Sequence, residues 1–182
     1  MESNITLTIM PNNNNLKNEL CLHHKTDNTV QYNFTNANKA TDIYALAKAF
    51  LSISKMTNKK LQKLCYYAKA WYLALYDCNL ISEQFQAWVH GAVQPALYFK
   101  YRTYGFGDIP RYTNIEEIPE EFLSFAQEIY DSYGHLSGDE LEQINHKEDP
   151  WIKARGSCKP WEKCFTEISE TDMKEFYRKM IV

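Results

Sequence analysis

Apolar side chains recur at three- and four-residue steps from Ile43 onward, and this spacing predicts a succession of helices. Ile43, Leu46, Ala47 and Phe50 mark the first, behind a Thr41-Asp42 start. A longer helix follows Met56-Thr57-Asn58. In it Leu61, Leu64, Cys65, Ala68, Trp71, Tyr72 and Leu75 make a broad stripe through about five turns, the mark of a central helix. Lys59, Lys60, Lys63 and Lys69 occupy its other face and read as solvated. After a turn at Asp77-Cys78-Asn79, the segment Phe85-Gln86-Ala87-Trp88-Val89 alternates like a short strand and is broken by His90-Gly91.

Start and stop signals frame the rest. Pro95 suits a first helical position because its fixed φ costs nothing there and its missing N–H is one that a helix leaves unpaired. The helix it opens carries Leu97, Tyr98 and Tyr101 and ends before Gly105-Phe106-Gly107. Pro119-Glu120-Glu121 opens another, with Phe122, Phe125, Ala126, Ile129, Tyr130 and Tyr133 on one face and Gly134 as its stop. Ser137-Gly138-Asp139-Glu140 has the spacing of a capping box before Leu141 and Ile144. Asp149-Pro150-Trp151 looks like a cap followed by a proline start, and Ser169 precedes a last helix through Met173, Phe176, Tyr177 and Met180. The expectation is a mainly α, compact single domain of about six or seven helices with at most one short hairpin. It is preceded by an N-terminal extension.

That extension, residues 1–40, is set apart by composition, with Asn12-Asn13-Asn14-Asn15 and further Asn at 18, 28, 33, 36 and 38. Asn competes for backbone hydrogen bonds and favours turns, so a loosely ordered tail is the plain expectation. Ile5-Thr6-Leu7-Thr8-Ile9 nevertheless alternates as a half-buried strand does, which makes Ile5, Leu7 and Ile9 candidates for a partner-binding arm.

Composition narrows the class. At 182 residues, 45% hydrophobic and 24% charged, the chain supports one ordinary core, and 14% aromatic residues, led by 13 Tyr, point to aromatic packing in it. A net charge of −3 gives no electrostatic footprint for nucleic acid, so none is expected as a partner. Five cysteines without a CxxC pair argue for free thiols rather than a disulfide framework. With no signal-peptide pattern and no run approaching the ~20 apolar residues of a membrane span, the expected location is the cytoplasm, away from membranes.

Three separated stretches carry a resemblance to a known family. They are Met56 through Ala68 with Trp71-Tyr72, then Phe85 through Pro95, and then Leu136-Ser137 through His146 followed by Asp149-Pro150-Trp151. In order and spacing they resemble the Panacea domain of SocA-like antitoxins, a helical domain also found on phage-associated proteins, over residues 41–182. Asn145 stands where a Thr is usual. The resemblance implies an antitoxin that neutralises a cognate protein toxin by direct contact, or one that delivers the toxin to a Clp-type protease.

An enzyme is the competing class. His90 and the group His146, Glu148 and Asp149 are the candidates for acid–base or metal chemistry. There is no HExxH, no Gly-x-Ser-x-Gly and no glycine-rich phosphate loop. Asp149 has a simpler reading as a helix cap, and His146 as a helix-end residue whose positive form suits the dipole. No catalytic residue, cofactor or metal is therefore expected. Trp88, Trp151 and Trp161 are expected first as core anchors. An exposed aromatic would instead mark the partner surface, for which Trp88 and its neighbour His90 are the candidates.

Overall fold

The computed structural model describes residues 43–181. Within them the elements are α1 (Ile43–Ile53), β1 (Met56–Thr57), α2 (Asn58–Tyr76), β2 (Gln86–Trp88), β3 (Gly91–Val93), α3 (Pro95–Tyr101) running on into a 3₁₀ turn (Arg102–Tyr104), β4 (Asp108–Ile109), a second 3₁₀ turn (Ile115–Glu117), α4 (Glu120–Tyr133), α5 (Gly138–Asn145), α6 (Asp149–Arg155) and α7 (Glu170–Arg178). The chain is mainly α, as its periodicity predicts. β2 and β3 form the expected hairpin, with Trp88 opposite Gly91 and Gln86 opposite Val93. A second antiparallel pair, β1 with β4, joins Met56 to Ile109 and lies outside the expectation of one hairpin. Two residues at each end of a long intervening segment carry no local alternation that would announce it.

Helix α2 is the axis. The Thr57 side chain accepts from Lys60 N at its start, and Asp77 in the left-handed region (φ 59°) ends it. Of its 19 residues, 15 are buried, because α1, α4, α5, α7 and the β2–β3 hairpin surround it. The solvated lysine face is therefore corrected. Lys63 and Lys69 are 1% and 0% exposed, and their ammonium groups donate to backbone carbonyls of the loops covering the helix: Lys63 to His90 and Ala92, Lys69 to Ile81 and Glu83. Lys69 also pairs with Glu170 at 2.7 Å. Lys59 pairs with Asp139 and Glu142, and Lys60 donates to the Gly134 carbonyl. Loops need donors for their carbonyls once water is excluded, and long flexible side chains on a buried helix supply them.

Aromatic rings fill the space between α2 and its neighbours. Tyr67 stacks on Tyr133 at 4.4 Å, Trp71 donates its Nε1–H to the Tyr133 hydroxyl, and Tyr177 meets Tyr66, Tyr67 and Trp71 edge-on. Such contacts add about 0.5–1.5 kcal/mol per pair beyond area burial. The capping box at Ser137 and Glu140 is formed as expected. Asp149 is not a cap: the N-cap of α6 is Glu148, which makes no side-chain cap bond, while Asp149 is the first helical residue. The expectation of tryptophan core anchors also needs correcting, since Trp161 is 75% exposed and Trp88 and Trp151 are half-buried.

Candidate protein-binding surface

The β2–β3 hairpin has two unlike sides, and both are built by residues far apart in sequence. Beneath it lies a polar cluster sealed from solvent. Lys63 Nζ is 2.5 Å from the His90 carbonyl and 3.0 Å from that of Ala92, while the Asn145 amide accepts from Ala92 N at 2.7 Å and donates to Glu148 at 2.9 Å. Tyr67 and Tyr177 lie beside the Glu148 carboxyl, with the Tyr67 hydroxyl donating to the Leu141 carbonyl. Burial pushes that carboxyl up to about 7 and Lys63 down to about 7, since each loses hydration that its charged form needs. Gly91 is required here twice over. Its φ of 89° disfavours other residues, and a Cβ would sit 2.7 Å from both Lys63 Nζ and Asn145 Oδ1.

At the turn itself the exposed His90 lies with Nδ1 3.0 Å from Glu142, which Lys59 contacts at 2.7 Å. Partial burial pushes Glu142 up, but Lys59 and His90 outweigh it and hold the carboxyl below its ordinary value. His146 stacks on Trp151 at 4.2 Å, and burial lowers its pKa, so the positive form expected from the helix dipole is disfavoured. His146 and Glu148 thus serve different surroundings, one against a tryptophan ring and one in the tyrosine cluster. Among the described residues no group of three His, Cys, Asp or Glu side chains is arranged to hold a metal ion.

Outward, Trp88 of the hairpin joins a row of aromatic rings from α3 and from the segment before α7. Trp88 meets Phe165 at 5.9 Å and Tyr98 at 5.2 Å, and Tyr98 meets Phe99 at 5.5 Å, all edge-on. Arg102 lies 5.2 Å over Phe99 and closes the row. Phe165 and Phe99 are 60% and 54% exposed, more than solvation alone favours for rings in mutual contact. Trp88 is held from behind by bonds of its own: its Nε1 donates to Gln86 Oε1, and its carbonyl accepts from Trp151 Nε1.

Residues 61–152 match the family described as antitoxin SocA-like, Panacea domain. The chain belongs to this family. The match spans α2 through α6 and so contains the hairpin, Lys63, Asn145, Glu148 and the rings of Trp88, Tyr98 and Phe99. Phe165 and α7 lie beyond it, yet α7 packs against α2 more extensively than any other element does. No curated protein and no solved structure matches the chain. The family points to a role without catalysis and to a protein partner such as a toxin. No helix among the described residues is long and apolar enough to cross a membrane.

Of the candidate contact residues, Trp88 falls in the aromatic row, whereas His90 is turned to the Lys59–Glu142 cluster on α2 and α5. Ile5, Leu7 and Ile9 lie outside the described residues. Sequence reasoning missed Tyr98, Phe99, Arg102 and Phe165. A signal for three of them was present: between Glu83 and Asp108 this acidic chain has no carboxylate side chain, while aromatic residues are dense.

Proposed function

We propose that this Panacea-domain protein is the antitoxin of a toxin–antitoxin pair and neutralises a cognate protein toxin in the cytoplasm by direct binding, without chemistry of its own. The observation that supports this most is the exposed aromatic row on a domain of antitoxin type. Exposed Trp, Tyr and Arg in contact concentrate binding energy at protein interfaces. Lys63 and Glu148, whose pKa values burial displaces strongly, are sealed beneath the hairpin, Lys63 bonded to backbone carbonyls and Glu148 to Asn145, which suits support of a surface better than access to a substrate.

In this reading residues 41–182 form the antitoxin domain, and residues 1–40 are an added arm whose Ile5, Leu7 and Ile9 contribute a second contact, with His90 at the rim of the first. The test is co-expression with the reading frame encoded beside this one. Growth restored only when both are made, together with co-elution of the two purified proteins, is the expected result. Unchanged toxicity would overturn the reading. Toxin that disappears from cells but persists when a Clp-type protease is deleted would replace blocking by delivery for degradation. Removing residues 1–39 is expected to weaken neutralisation while leaving the melting temperature nearly unchanged.

A further inference from the structure

The surface built by α3 and its 3₁₀ extension differs in chemistry from the rest of the molecule. Tyr98, Phe99 and Tyr104 are 37%, 54% and 41% exposed, and Phe106, between Gly105 and Gly107, is fully so. Two cations share this segment. Arg102 lies on the face of Phe99, and the Lys100 ammonium sits 4.8 Å from the Tyr44 ring centre and 5.9 Å from that of Tyr101. Neither has an ion-pair partner among the described residues, whereas Lys48, Lys55, Lys59, Lys153 and Lys174 all do. No carboxylate occurs from residue 84 to 107, so the α3 end of this face is positive in a chain whose net charge is −3, and Glu167, which bridges to Gln86, marks its other end. Cations resting on rings keep their charge available to a carboxylate from outside, and desolvation by that partner would strengthen both contacts.

We propose that this face, from Phe165 through Trp88, Tyr98 and Phe99 to Lys100 and Arg102, receives an acidic amphipathic protein segment, its apolar side chains against the rings and its carboxylates against the two cations. In the antitoxin reading, on which the identity of the partner rests, the toxin carries that segment. A single-stranded nucleic acid would also stack on aromatic rings, but it needs a basic groove following several phosphates. Here one cation, Arg102, borders the aromatic row and a second, Lys100, lies next along α3 over Tyr44 and Tyr101, and the sequence continues into Asp108, already paired with Lys55 at 3.2 Å. A short acidic helix or strand fits that spacing of charge better.

The probe is a synthetic amphipathic helix of about four turns, apolar on one face and glutamate-rich on the other. Controls are the same peptide with lysine for glutamate and a single-stranded DNA of similar charge. Binding to the full chain is read by fluorescence anisotropy of the labelled probe. The acidic peptide is expected to bind, and the double variant Lys100→Glu with Arg102→Glu to weaken it roughly tenfold or more while improving the lysine peptide. Phe99→Ala should weaken both peptides. Equal binding of the two peptides, or DNA binding tighter than either, overturns the proposal. An unchanged melting temperature shows that the double variant is folded. In cells the two readings separate: rescue by the parent protein but equally by the double variant sinks this surface and spares the antitoxin, whereas no rescue by either sinks the antitoxin and leaves the peptide result to decide the surface.

Discussion

Beneath the hairpin, an amine, an amide and a carboxyl group are sealed away from water; on top of it, aromatic rings stand in water. The usual distribution of polar and apolar groups is reversed across this one hairpin. The inner cluster is satisfied by backbone carbonyls and amides of the hairpin, so Lys63 and Asn145 act as struts that hold residues 90–92 in one conformation. The outer row takes Trp88 from the same hairpin and keeps Phe99 and Phe165 exposed. Comparing the two sides shows that polar burial here sets a loop's shape, while apolar exposure is what the loop presents. Inner changes should therefore cost stability first, and outer changes should cost binding first.

The sharpest way to break this comparison is Gly91→Ala. The new Cβ would meet Lys63 and Asn145 at 2.7 Å in a backbone conformation that alanine resists. A loss of about 3 kcal/mol or more is expected. For a chain of this length that lowers the melting temperature on the order of 6–12 °C, measured by circular dichroism. A melting temperature within a degree of the parent would mean that the inner cluster yields easily and is no strut.

Lys63→Met comes next. It removes the donor from the His90 and Ala92 carbonyls, and leaving buried acceptors unpaired costs about 2–3 kcal/mol. Urea unfolding measures it, with Lys100→Met as the counterpart on the outer face, where a change within ~0.5 kcal/mol is expected. Equal losses at the two positions would erase the distinction between the sides.

The inner cluster should also show in the pH dependence of stability. Glu148 is raised from 4.5 to about 7 in the fold, so its contribution is present below 4.5 and is lost as pH rises through about 7. Lys63 is lowered from 10.5 to about 7, so its contribution is present above 10.5 and is lost as pH falls toward 7. Together they place a dip in stability near neutrality. Unfolding in urea at a series of pH values should find that Glu148→Gln flattens the acid limb and Lys63→Met the alkaline limb. Limbs that survive both variants would assign the dip to other groups.

The smallest expected effect on stability is on the outer row. Trp88→Ala, half-buried and bonded to Gln86, should cost about 1 kcal/mol, and the more exposed Phe99→Ala within ~0.5 kcal/mol. Both should nevertheless abolish or strongly weaken toxin binding, read by co-elution with the toxin. Retained binding in both variants would move the contact to another part of the surface.

What the sequence determined by itself was local. The 3.6-residue periodicity in α1, α2 and α4, the Ser137 capping box and the Pro95 start were legible, because each depends on residues within a few positions of one another. Three ordered motifs were enough to reach the family as well, which residues 61–152 bear out. Tertiary structure decided the rest. Lys63 and Lys69 occupy positions that look solvated on a helical wheel, yet they are buried, since loops at 81–83 and 90–92 fold over them and need donors. Asp149 looked like a cap, but the chain enters α6 one residue earlier, with Glu148 turned into the tyrosine cluster. Trp88 could be nominated as a contact, while the aromatic row it belongs to depends on Phe165, 77 positions away, and on Tyr98 of α3. Periodicity reports how a residue faces its own helix or strand; whether that face meets water is settled only when distant segments arrive to cover it.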